Sequence, residues 1–157
     1  MVSDEHIADP GLKAGASESG KGFTLVHGTL RGPVWEYLYS YEAAAAHLGM
    51  QRSPYSLVGH THVPMLVVED ERLPRGCELY RAEDGQEVPL GGQKLVINPG
   101  SVGQPRDGNP LAAYAVYDTA EATVTLHRVE YDVRTTQELM EAAGLPRSLI
   151  QRLPEGR

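Results

Sequence analysis

The sequence predicts a mixed α/β layer fold. Three observations predict it. Two passes of strand-like and helix-like patterning are followed by a run of strands. Two of the apolar strands end in the same way, Leu25-Val26-His27-Gly28 and Leu57-Val58-Gly59-His60. A length of 157 residues suits one compact domain with a substantial core.

Residues 1–22 read as a poorly ordered N-terminal segment, because DPGLKAGASESGKG is small, polar and rich in turn formers. Within it, Ser3-Asp4-Glu5 has the composition of a cap for one helical turn. Residues 23–157 form the domain proper. FTLV (23–26) is a strand stopped by His27-Gly28. Pro33 stands where a helix would begin, and VWEYLYSYEAAAAHL (34–48) follows as a helix that Gly49 would stop. YSLV (55–58) and MLVVED (65–70) are strands. CELYRAEDGQEVPL (77–90) has the form of a hairpin with Asp84-Gly85 at its turn. KLVIN (94–98) is a strand, and AAYAVYD (112–118) with TVTLHRVEYD (123–132) makes a second hairpin. Thr135-x-x-Glu138 has the spacing of a capping box, Gly144 ends that helix, and Pro146 opens a last short one.

Composition narrows the function. Fourteen basic against twenty-one acidic residues give a formal charge of −7. That argues against a nucleic-acid backbone or an anionic membrane as the main partner, since both select a basic face. A mean hydropathy of −0.34 fits a soluble chain, and no apolar run approaches the roughly 20 residues of a membrane span. The start MVSDEHIADPG lacks the basic and apolar regions of a signal peptide. Cys77 is the single cysteine, so a reducing, cytoplasmic location is expected.

The chemistry gathers at the strand ends. In open α/β sheets, ligands collect at the carboxyl edge. Two neighbouring strands would deliver His27 and His60 to one such edge, and His62 follows at i+2. On a continued extended path His60 and His62 would share a face, with Cα atoms ~6.6 Å apart. Converging imidazoles point to a metal, since neutral imidazole suits Zn, Mn, Fe or Ni. Taken alone, an H-x-H pair is more often a surface feature or a satisfied hydrogen-bonding pair.

The blocks HGTLRGPVWEYL (27–38), VGHTHVP (58–64) and INPGSVGQPRDGNPLAAYAVYD (97–118) together resemble the calcineurin-like metallophosphoesterases, most closely the small prokaryotic branch. The closing segment YDVRTTQELMEAAGLPRSLIQRLPEGR (131–157) is similar to that branch as well, so the resemblance runs over residues 23–157. It implies the C-terminal portion of a four-layer α/β/β/α sandwich. It further implies hydrolysis of phosphomonoesters or phosphodiesters of small molecules by a hydroxide bridging two divalent metals. His27 and His60 would bind one metal and His62 the other. Gly59 and the loop of Asn98, Gly100 and Ser101 would lie near the substrate phosphate. Arg106 would be either a phosphate clamp or a structural salt-bridge partner.

The resemblance also exposes gaps. The family carries an early D-x-H, a G-D-x-x-G-D and a G-N-H-D/E, which supply the bridging aspartate, further ligands and the histidine assisting the leaving group. This chain has neither of the last two. Asp4-Glu5-His6 matches D-x-H literally, but too little strand precedes it, and it fits better the helix start that comes before the first histidine strand. The expectation is therefore half a site, with at most one weak metal position. Edges of FTLV and YSLV would be exposed and would favour self-association. Two alternatives stay open: a non-catalytic protein-interaction module on the same scaffold, or one half of a split enzyme.

Other residues read as structural. His47 sits in the last turn of the Ala-rich helix, where a cation suits the dipole. His127 reads as solvent-facing and Cys77 as a buried or incidental thiol. Trp35 and Leu38 read as one core-facing turn; Tyr37 could edge a site mouth, but nothing in the sequence requires it there.

Overall fold

The computed structural model describes residues 17–19 and 22–157. The Ser3-Asp4-Glu5 turn and the Asp4-Glu5-His6 motif lie outside the described residues. One sheet has six strands: β1 (Ser17–Ser19), β2 (Phe23–Leu25), β3 (Tyr55–Leu57), β4 (Pro64–Glu69), β5 (Cys77–Arg81) and β7 (Leu95–Pro99), in the order β1-β2-β3-β7-β4-β5. The second sheet has three, β6 (Glu87–Pro89), β8 (Ala112–Asp118) and β9 (Thr123–Val129), in the order β6-β9-β8. The helices are α1 (Tyr41–Met50), α2 (Val133–Ala142) and α3 (Arg147–Gln151), with a closing 3-10 turn at Leu153–Glu155.

Alternation along the central strands builds two cores at once. β4 and β7 pair antiparallel with Leu66 opposite Ile97 and Val67 opposite Val96. Side chains alternate between faces along a strand. Leu66 and Ile97 therefore join Phe23, Val88, Val124 and Leu126 between the two sheets. Val67 and Val96 join Val26, Val58, Ala44 and Leu48 beneath α1. All four central side chains are fully buried, each contributing about 1.5–3 kcal/mol by area. Burial on both faces explains why these strands are continuous apolar runs. Among the described residues, no helix is long and apolar enough to cross a membrane.

Several expectations are corrected. Residues 34–40 are not helical. Glu36 is drawn back by Thr29 and Arg31, the Glu36 N–H bonds the Gly32 carbonyl at 3.1 Å, and Tyr37-Leu38-Tyr39 alternates out, in, out. Leu38 is buried as read, but Trp35 is 82% exposed. The helix begins where Ser40 caps it, its Oγ accepting from Ala43 N–H at 3.1 Å. Gly49 lies inside α1. The stop is Gln51, in extended geometry, whose buried amide donates to the Ser53 and Pro54 carbonyls while its Oε1 accepts from Ser56.

β5 and β6 do not pair. β5 pairs with β4, whereas β6 pairs with β9 in the other sheet. The Asp84-Gly85 turn is anchored across to β9: Asp84 accepts from Arg128 N–H, and Gly85 N–H donates to the Leu126 carbonyl. The β8–β9 hairpin forms as expected. α2 is capped by Asp132, whose carboxylate accepts from Thr135 N–H, so it starts earlier than the Thr135 pattern implied. Gly144 follows α2 with φ +71°, and Pro146 precedes α3. The edge of β2 is not open, because β1 pairs with it antiparallel, and β3 lies between β2 and β7.

His47 is not a cation at a helix end. Its side chain is fully buried, its Nδ1 accepts from Leu30 N–H at 3.2 Å, and its Nε2 has no partner. Burial pushes its pKa down to about 4, partly countered by Glu36. The folded value lies below the unfolded one, so the unfolded chain binds the extra proton. Stability is full above about pH 6.5 and falls as the pH drops toward 4. Urea unfolding at pH 7 and pH 5 tests this. The native protein is expected to lose about 2 kcal/mol more than His47→Gln over that interval, and an identical loss in both would refute the assignment.

Candidate metal centre

Parallel pairing of β2, β3 and β7 brings three chain segments to one edge of the large sheet. Backbone bonds carry the register past the strands, from Val58 N–H to Ile97 O at 3.0 Å and from Gly59 N–H to His27 O at 2.9 Å. His27, the Gly59–His62 turn and the Asn98–Ser101 loop therefore meet. His27 Nε2 lies 2.9 Å from His60 Nδ1, so the two rings share a hydrogen bond.

His60 and His62 do not share a strand face, as the extended path would have required. Both adopt left-handed backbone geometry, with φ of +63° and +60°. Each such residue costs about 1–2 kcal/mol for a side chain with a Cβ. Thr61 between them is fully buried. His62 makes its own contact: its Nδ1 lies 2.7 Å from the Gln104 carbonyl. A carbonyl only accepts, so Nδ1 carries the proton and Nε2 keeps a free lone pair. The loop returns the contact, with Arg106 N–H donating to the His62 carbonyl at 3.1 Å.

The strained turn is held by Asn98. Its side chain is buried, its Nδ2 donates to the Gly59 carbonyl and to Thr61 Oγ1, both at 2.8 Å, and its Oδ1 accepts from Gly100 N–H. Asn98 is thus a positioning residue whose amide faces the protein. Gly100 is required as glycine: its φ is +89°, and a Cβ there would lie 2.7 Å from both Ala113 and Pro64. A Cβ at Gly59 would make only ordinary contact with His27. Ser101 Oγ accepts from Gln104 N–H and closes the turn leading to Arg106.

Arg106 is not a salt-bridge partner among the described residues. Its Nε and Nη2 donate to the neutral Gln104 Oε1 at 3.2 and 2.8 Å. Arg81 donates to the Asp107 carbonyl. Nearby, Asp107 pairs with Arg128 in a buried ion pair that fixes the loop. Burial, with the neighbouring His60 adding to it, holds the His27 pKa below its ordinary value. Burial also lowers that of His62, opposed by the Gln104 bond and assisted by Arg106. Both shifts favour the neutral ring.

The sequence matches the Calcineurin-like phosphoesterase superfamily domain over residues 3–122. The chain belongs to that superfamily. The match begins earlier and ends earlier than the resemblance over 23–157. A solved metallophosphoesterase from Sphaerobacter thermophilus superposes with a TM-score of 0.84 and 43% identity, over 90% of this chain and 58% of that one. An uncharacterised protein of Methanocaldococcus jannaschii is 35% identical over 141 residues, 88% of this chain and 53% of that protein. A hypothetical protein from Pyrococcus horikoshii shares the fold, with a TM-score of 0.60 and 20% identity over 90% of this chain and 50% of that one. The chain spans about half the length of the relatives it matches.

Members of this superfamily typically bind divalent metals, and the residues here fit part of that requirement. His62 presents a lone pair at Nε2, and His60 Nε2 is buried without a partner. Among the described residues, however, no three His, Cys, Asp or Glu side chains form a metal-binding group. His27 and His60 are in direct contact, while His62, close enough to both to feel them electrostatically, is anchored separately at Gln104. Tyr37, which the sequence does not require at the site, stacks on His60 with ring centroids 4.0 Å apart and planes 13° apart. Its signal was the out-in-out pattern of Tyr37-Leu38-Tyr39, which is not helical.

Replacing Asn98 by Ala would strand the Gly59 carbonyl, the Thr61 hydroxyl and the Gly100 N–H. Urea unfolding is expected to show a loss of about 3 kcal/mol. A change below about 0.5 kcal/mol would mean that the turn holds itself.

Proposed function

We propose that this chain provides the imidazole half of a metal-dependent phosphoesterase site acting on small-molecule phosphomonoesters or phosphodiesters. The observation that carries the reading is His62, fixed through Nδ1 to Gln104 with Nε2 free, beside the Arg106 guanidinium. His27, His60 and His62 are the residues that would hold divalent metal. When bound, the metals supply Lewis-acid polarisation of the phosphoryl group and a nucleophile at neutral pH.

The chain's own residues set the rest of the chemistry. The His62 Nδ1–H to Gln104 bond fixes the tautomer and orients the ring. Burial at His27 and His62 favours the unprotonated imidazole that a metal would need. Arg106 offers donors and a positive charge that no carboxylate among the described residues neutralises, which suits a phosphoryl oxygen. The carboxylate ligands that two dications require would come from other parts of the polypeptide or from a second chain.

The test is metal-dependent hydrolysis of bis(p-nitrophenyl) phosphate by the full-length natural polypeptide. Activity that depends on Mn²⁺ is expected, with His62→Ala reducing it at least ~100-fold. Calorimetric titration with Mn²⁺ should show weaker binding in the same variant. Hydrolysis unchanged by His62→Ala would overturn the reading. A folded, metal-indifferent protein would instead favour an interaction module.

A further inference from the structure

Three rings stand in series beside the histidine turn. Tyr37 stacks on His60, and Tyr39 stacks on Tyr37 with centroids 5.6 Å apart and planes 17° apart. Tyr37 and Tyr39 are 44% and 51% exposed. Between them Leu38 is only 2% exposed, so the backbone is pinned into the core while both rings face outward. Tyr39 is fixed at its far end as well, its hydroxyl donating to the Thr61 carbonyl at 2.9 Å. The tyrosines are therefore held in place, and stacking on them loses little rotamer freedom.

Charge accompanies the rings. Arg106 and Arg81 both lie close enough to Tyr39 to act on its hydroxyl electrostatically. Among the described residues neither guanidinium has a carboxylate partner; Arg106 donates to the neutral Gln104 and Arg81 to the Asp107 carbonyl. The exposed Tyr39 end of this stack, beside unneutralised cations, matches a ligand with a planar ring at one end and an anionic group at the other.

We propose that the His60–Tyr37–Tyr39 series is a subsite for a nucleobase-sized aromatic ring, so that the phosphoesters bound here are nucleotide-like, with the phosphate directed to Arg106. The proposal rests on the phosphoesterase reading for the position of the phosphate. Its aromatic part stands on the stacked rings alone.

Calorimetric titration of the full chain with AMP and with ribose 5-phosphate, with and without Mn²⁺, tests it. AMP is expected to bind at least ~10-fold more tightly, the usual gain from stacking one base. In the double variant Tyr37→Leu, Tyr39→Leu the ratio of the two affinities should fall to within twofold of one. Circular dichroism checks that this variant is folded, and Tyr39→Phe, which keeps the ring, should keep the preference. Equal affinities in the native protein, a preference that survives the double variant, or no binding of AMP would each overturn the proposal. The last result would identify the tyrosines as a surface covered by protein. Hydrolysis without AMP preference refutes this subsite alone. AMP preference without metal-dependent hydrolysis refutes the phosphoesterase reading alone.

Discussion

Two left-handed histidines on either side of one buried threonine make a turn that the backbone abandons unless it is restrained, and the side-chain amide of Asn98 restrains it. The amide bonds the residue before the first histidine, the threonine between them and the glycine two positions beyond itself. Asn98 lies at the end of β7, the strand that pairs with both β3 and β4. The turn it holds is the connection between those same two strands. Its register is thus fixed by the sheet, and its strain is balanced against hydrogen bonds made by the buried Asn98 and Thr61 side chains. The positions of His60, His62, Gly100 and, through the loop, Arg106 all follow from this one carboxamide.

The electrostatics of the site run against those of the molecule. The chain carries a formal charge of −7, yet the His62–Arg106 region joins two guanidiniums with His27 and His62, whose burial disfavours their charged forms. A cationic spot on an acidic protein focuses small anions and repels polyanions approaching over a wide front. That fits the compositional argument against nucleic-acid backbones. It also explains the choice of Gln104 as the partner of Arg106, since a neutral acceptor orients the guanidinium without cancelling its charge.

Much of this was legible in the sequence because hydrophobic patterning and strand-end chemistry are local. LVHG and LVGH correctly placed His27 and His60 at one sheet edge, since parallel neighbours end together. The joint between His60 and His62 was not legible. Histidine gives no signal of positive φ, and the restraint comes from Asn98, 38 positions after His60 (98 − 60). The helix start was misread for a related reason. Good helix formers follow Ser40, but Glu36 is claimed by Thr29 and Arg31, and tertiary bonds override propensity. The hairpin at Asp84-Gly85 failed because a turn signal specifies a bend and not the sheet its arms will join.

That last feature shapes how the protein must assemble. β6 belongs to the small sheet, but its neighbours along the chain, β5 and β7, both belong to the large one. Its partner β9 arrives much later, with Glu87 opposite Thr125. The small sheet is therefore laced into the large one by the chain itself. The β6–β9 pair closes a long loop that passes through β7 of the large sheet, and contacts of this separation are closed late in folding. The two layers, and the inter-sheet core of Leu66, Ile97 and Val124, should melt as one cooperative unit instead of peeling apart layer by layer.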